Sequence, residues 1–154
     1  MRLNARSVGR HLVIRMRNVL IATALLLFAA CHESGTWVDD PRNFKRAWGV
    51  NAPGAVQVVH SQYWRSAHFT REEVYYFQLR ATSSYAEVFA AENRLKPLRA
   101  RDLGAFSFMQ PKPAWFAPKP PSAYQIWGTG SEAPAGFVLL DRMTGDIFIH
   151  VAQL

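Results

Sequence analysis

The sequence predicts a single small α+β domain: an antiparallel sheet of about five strands, one main amphipathic helix on one face, and a short helix before it. Three observations predict it. Residues 55–64 and 74–81 are β-branched and aromatic runs that alternate as strands do. Ser84-Tyr85-Ala86-Glu87 opens a stretch with helical spacing. Residues 137–142 and 147–152 flank Thr144-Gly145-Asp146, a tight-turn signal. Strands joined by hairpins pair antiparallel, which sets the sheet type.

The chain opens on a basic leader, with Arg2, Arg6, Arg10, Arg15 and Arg17. Residues 19–30 follow without a charge. That run is shorter than the roughly 20 residues a membrane-spanning helix needs, so a cleaved export signal is expected. Met16-Arg17-Asn18 plus this run already makes a complete short signal, and initiation at Met16 is expected to suffice for export. Leu26-Leu27-Phe28-Ala29-Ala30-Cys31 closes it and holds the only cysteine. This stretch resembles the lipobox of bacterial lipoproteins, with Phe28 where Leu is commoner. The resemblance covers residues 16–31 alone. It implies that residues 1–30 are removed and that Cys31 is acylated, attaching the mature chain to the membrane. Acylation also accounts for an odd cysteine count in an exported protein. His32, rather than Asp, follows Cys31, which by the same resemblance favours the outer membrane, facing the periplasm.

Residues 31–39 read as the lipidated cysteine and a linker, and residues 40–154 as the domain. At about 3.3 Å per residue, eight linker residues reach about 26 Å. Asp40-Pro41 signals a helix start, and Gly49 a stop, for a short helix over residues 41–48 carrying Phe44 and Trp48. In the first strand Val56, Val58, His60, Gln62 and Trp64 are expected on one face, with Gln57, Val59, Ser61 and Tyr63 on the other. In the second, Tyr75, Phe77 and Leu79 oppose Val74, Tyr76 and Gln78. Residues 65–73 read as a polar loop. The main helix spans residues 84–95, with Ser84 and Glu87 as a capping box and Tyr85, Val88, Phe89 and Leu95 as its apolar face. Lys96-Pro97 stops it. The proline-rich residues 111–121 read as an extended connection fastened by Trp115 and Phe116, because Pro gives a sheet no donor. Strands over residues 124–127, 137–142 and 147–152 complete the fold.

Charge excludes one class of partner. Five of the 18 basic residues precede Cys31, whereas all 11 acidic ones follow it. The mature chain therefore has 13 basic and 11 acidic side chains, a net +2. The high pI belongs mostly to the leader, and nucleic acid is not an expected partner.

Catalytic chemistry finds weak support. A zinc site needs three converging nitrogen or oxygen donors. His60, His68 and Glu72 would supply them only if the loop folded back, and their spacing matches no zinc motif. Ser61 lies beside His60 on a strand, which sends the two side chains to opposite faces. Asp39-Asp40 and Glu72-Glu73 read as solvated pairs, and Asp141 and Asp146 as residues flanking the final turn. No cofactor is expected.

The aromatic load points instead to binding. Tyr63-Trp64 and Tyr75-Tyr76 put one ring of each pair on either sheet face. A single helix covers one face, so rings should remain on the other, with Arg65, Arg71 and Arg80 close by. The alternative is that the proline-rich connection covers them through Trp115 and Phe116. Aromatics and Arg are the usual anchors of protein interfaces. The expected binding residues are Tyr63, Trp64, Arg65, His68, Arg71, Tyr75, Tyr76 and Arg80. The expected function is that of a lipid-anchored, non-catalytic envelope protein that binds an envelope protein, as an inhibitor, an immunity factor or an accessory of a complex. The alternatives are an envelope hydrolase or metal enzyme using His60, His68 and Glu72, and a cell-wall glycan-binding module.

Overall fold

A computed structural model describes residues 33–67, 72–105, 111–129 and 135–153. Cys31, His68 and Arg71 lie outside the described residues. The compact unit is Ser34–Leu154. In chain order its elements are β1 (Gly35–Val38), α1 (Asn43–Trp48), β2 (Gln57–Arg65), β3 (Glu73–Arg80), α2 (Ser83–Glu92), β4 (Lys96–Leu98), β5 (Tyr124–Gly128), β6 (Ala135–Asp141) and β7 (Asp146–Gln153). Short 3-10 turns stand at Ala100–Ala105 and Pro121–Ala123. The strands form one antiparallel sheet in the order β1-β2-β3-β7-β6-β5-β4. Among the described residues no helix is long and apolar enough to cross a membrane.

The α+β class agrees with the sequence, but the described sheet has seven strands rather than about five. The two additions are its edges. β1 falls where a linker was expected; it is too short to show a period, and it is held by pairing with β2 and by Trp37 against Tyr63 at 5.8 Å. β4 follows directly on the helix stop and contains Pro97. Proline is tolerated there because an edge strand leaves one side of its ladder unpaired.

Each face of the sheet carries a buried core cluster. On one, α1 and α2 enclose Tyr63, Tyr75, Phe77, Leu79, Val138, Leu140, Ile147 and Ile149. On the other, the connection inserts Phe116, which is 0 % exposed, among Val74, Tyr76, Phe137, Leu139 and Phe148. Rings meet edge to face there, Phe116 lying 5.0 Å from Tyr76 and 5.7 Å from Phe148, a geometry favoured by the ring quadrupole.

The alternation expected in β3 is observed. In β2 it breaks at one place. A bulge between Val58 and His60 pairs Val58 with Leu79 but His60 with Gln78. Val58 therefore packs on the helix face, while His60, Gln62 and Trp64 remain on the other. One extra residue inverts the faces on either side of it.

α1 begins at Asn43 rather than Pro41. Asp40 organises its start: Oδ1 accepts the Arg42 backbone N–H at 2.8 Å and the carbonyl accepts that of Asn43 at 2.9 Å. Gly49 ends the helix at φ 74°, a left-handed position suited to glycine. Trp48 joins the helix to the rest of the face, with its ring 4.4 Å from Phe44, 4.7 Å from Phe77 and 5.9 Å from Phe89.

α2 spans Ser83–Glu92, and the capping box does not form: Thr82 is the N-cap and makes no side-chain cap there, while at the other end Asn93 Nδ2 donates to the Phe89 carbonyl at 2.8 Å. Its buried positions are Ala86 and Ala90, while Tyr85 and Phe89 are half-buried and Val88 is exposed. Two alanines one turn apart let the helix sit close on the sheet, and the larger apolar side chains flank that line.

Candidate binding surface

Burial removes most of the expected aromatic patch from the surface. Tyr63, Tyr75 and Tyr76 are 0 %, 3 % and 0 % exposed, so they are core rings and offer no face to a partner. Burial, with the Glu73 carboxylate as a further cause, pushes the Tyr63 hydroxyl up to about 12. Arg65 is half-buried, and its guanidinium lies 3.0 Å from Glu73 and donates to the Tyr63 hydroxyl at 2.7 Å. Glu73 is thus a buried ion-pair partner and not half of a solvated pair. β2 and β3 continue to Arg65 and Glu73, which pair directly, so the loop between them is shorter than expected. Arg80 is exposed and reaches Asp146 at 3.5 Å.

Trp64 survives as a partly exposed ring, and its surroundings define a different surface. The connection covers the sheet from β3 to β5 but only partly shields β1 and β2. On that side lie Val38, His60, Gln62 and Trp64, joined by Trp115 from the connection. Val38 is 59 % exposed, and the other four are half-buried.

The centre of this strip is an ordered imidazole. The His60 ring stacks on Trp115 at 5.3 Å and 25°. Its Nδ1 lies 3.3 Å from Asp39 Oδ2. Asp39 is itself held, Oδ1 accepting the Ser61 backbone N–H at 2.8 Å and its own N–H donating to the Ser61 carbonyl at 2.7 Å. Its φ of 49° is left-handed, a conformation that Asp tolerates better than most residues. The bulge before His60 gives that ring its face.

The arrangement orients a histidine, but Ser61, its neighbour in sequence, is not brought to the ring. Ser61 points to the helix face, where its Oγ accepts a hydrogen bond from Asn43 Nδ2 at 3.1 Å. Among the described residues no three His, Cys, Asp or Glu side chains converge as a metal site. Asp141 works as a turn residue: Oδ1 accepts the N–H groups of Met143 and Thr144 at 2.9 and 3.2 Å. Burial alone would raise its carboxyl, but the bond from Lys119 and those two N–H groups outweigh it and hold the carboxyl below the usual range.

On the helix face, a shallow cleft of about 140 Å³ opens between Trp48, Phe89 and Leu95 over Val138, Ile149 and Val151. Sites for drug-sized ligands usually exceed about 300 Å³, so this cleft is a packing gap by size.

Sequence reasoning missed Trp115 and Asp39 because each meets His60 only through the fold. One signal of two-sided burial was present: Phe137-Val138-Leu139-Leu140 and Ile147-Phe148-Ile149 are continuous apolar runs, not alternating ones. No family model matches the chain, and no curated protein or solved structure matches it.

Proposed function

We propose that this chain is a lipid-anchored protein of the bacterial envelope that binds another envelope protein through the His60, Trp64 and Trp115 surface. The observation that carries the reading is the location of these rings. They are half-exposed and lie at the sheet edge nearest in sequence to Cys31. β1 begins at Gly35, four residues after Cys31. Four extended residues reach about 13 Å, half the reach expected of a free linker. The surface is therefore within reach of partners that are themselves at the membrane. Rigid aromatic rings anchor interfaces at low entropic cost, and His60 is already fixed by Trp115 and Asp39, so little ordering would remain for binding. An inhibitor or immunity role, or an accessory role in a complex, suits such a surface. The outer membrane is the proposed location.

Two experiments test the two halves. Metabolic labelling with radioactive palmitate should mark the wild type and leave Cys31→Ala unlabelled; equal labelling would remove the anchor. Capture from detergent-solubilised envelope should recover one stoichiometric protein with the wild type and lose it with Trp115→Ala and with Trp64→Ala, both checked for native circular dichroism. A partner retained by both variants, or none captured by the wild type, would overturn the binding surface.

A further inference from the structure

Four basic side chains, Arg94, Lys96, Arg99 and Arg101, fall within eight residues at the β4 end of the sheet, and all are exposed. A mature charge of only +2 conceals them. Elsewhere among the described residues five cations have an acidic partner: Arg42 and Arg46 share Asp40, Arg65 holds Glu73, Arg80 reaches Asp146, and Lys119 lies 2.6 Å from Asp141. Lys45, Lys112 and Arg142 have none among these residues, but they are far apart in the sequence and form no run. Along β4 the acidic contact among the described residues is Asp102, 3.9 Å from Arg101, and its carboxylate also accepts the Arg99 backbone N–H at 2.9 Å. Arg94, Lys96 and Arg99 have no ion pair among the described residues.

Protection of an open strand edge explains part of this. Lysine and proline on an edge strand discourage pairing with other chains, and Lys96-Pro97 meets that need for a strand of three residues. It does not call for Arg94, Arg99 and Arg101 as well.

We propose that this basic edge rests on the anionic headgroups of the membrane to which the chain is tethered. The inference depends on the lipid anchor proposed above. Each Lys or Arg near an anionic surface strengthens attachment about fivefold, so four are weak alone but effective when an anchor holds them at high local concentration. β1 and β4 are the two outer strands. Six interstrand spacings of about 4.8 Å separate them, or about 29 Å. The anchor fastens the β1 edge and the headgroups fasten the β4 edge, so the sheet lies along the membrane instead of standing on one edge. Residues 94–101 carry no aromatic side chain to insert among the lipids, so the contact is electrostatic and salt-sensitive.

The test uses the mature protein, purified from membranes and reconstituted into nanodiscs of phosphatidylcholine alone or mixed equally with phosphatidylglycerol. Limited trypsin digestion, read by mass spectrometry, reports cleavage after Arg99 and Arg101 against the exposed Lys45 as reference. Cleavage at the two arginines should slow at least about tenfold in anionic discs, and about 0.5 M salt should restore it. Replacing Arg94 and Lys96 by Glu keeps both cleavage sites and should also restore it. Equal rates in the two discs, from a chain that has entered them, would overturn the headgroup contact alone. A chain that does not enter the discs would overturn the anchor and, with it, this proposal.

Discussion

Asn43 Nδ2 donates a 2.9 Å hydrogen bond to the Trp37 carbonyl, tying the first turn of α1 to the edge strand β1. The same amide reaches Ser61 Oγ on β2 at 3.1 Å, and Asn43 Oδ1 accepts from Arg46 at 2.8 Å. Arg46 in turn lies 4.6 Å over the Trp37 ring. Asn43 is fully buried, so one side chain joins three elements with its polar atoms satisfied. Asn43→Ala should cost about 2–3 kcal/mol, because it strands a carbonyl and a hydroxyl away from water. Urea denaturation of the two proteins measures it; a loss below about 0.5 kcal/mol would show that the network relaxes onto water.

His150 gives the fold an acid-sensitive point. Its ring is 2 % exposed, stacks on Tyr76 at 4.5 Å and lies 5.0 Å from Phe137. Burial pulls it from 6.5 down to about 4, against a weaker upward pull from its bond to the Tyr75 carbonyl. The unfolded chain therefore binds more protons between pH 6.5 and about 4, and stability must fall as pH drops through that window. The full effect is about 3 kcal/mol. Asp40 and Asp141, held below the usual carboxylate range, lose their contributions only at lower pH. Thermal denaturation between pH 7 and pH 4 should show the decline in the wild type and a flatter profile in His150→Phe. Parallel profiles would place the sensitivity elsewhere.

The two faces rank their aromatic residues differently from the sequence. Helical spacing marks Phe89 as a core residue of α2, but its ring is half-buried at the border of the shallow cleft. Phe116, in a proline-rich stretch with no period to read, is fully buried among five rings. Phe116→Ala should cost about 3–5 kcal/mol and Phe89→Ala about 1–2 kcal/mol. Equal losses in guanidinium titrations would mean that the connection is not part of the core.

That contrast shows what was legible and why. β3, β5, β6 and β7 were readable because each carries several β-branched or aromatic residues, and Gly145, with φ 75°, marks the turn between β6 and β7. α1 was readable from Asp40 and Gly49, local signals at its two ends. β1 and β4 were not, because strands of four and three residues have no period, and tertiary pairing alone selects them. The binding surface was legible only in part. His60 and Trp64 stood out by residue type, but Trp115 joins His60 from a connection 55 positions away. Tyr76 is buried by the connection through Phe116, the alternative that the sequence left open, whereas Tyr63 and Tyr75 lie on the other face and are buried beneath the helices.

Gly128 supplies the last prediction, at the join between the β4 edge and the body of the sheet. It pairs with Lys96 on one side and Phe137 on the other. A Cβ there would stand 2.6 Å from Leu98 Cδ1 and 3.0 Å from the Gly136 carbonyl oxygen. The leucine end can turn away, but the carbonyl cannot, since it accepts the Thr129 N–H at 3.0 Å. Gly128→Ala should therefore destabilise by about 1–3 kcal/mol through overpacking. Adding Leu98→Ala should recover only part of that loss in a double-mutant cycle, because the clash with the carbonyl remains. Full recovery would locate the strain in the leucine alone. No loss in the single variant would mean that the β4 edge moves freely against β5, and a mobile edge could not hold Lys96 and the basic residues on either side of it in place.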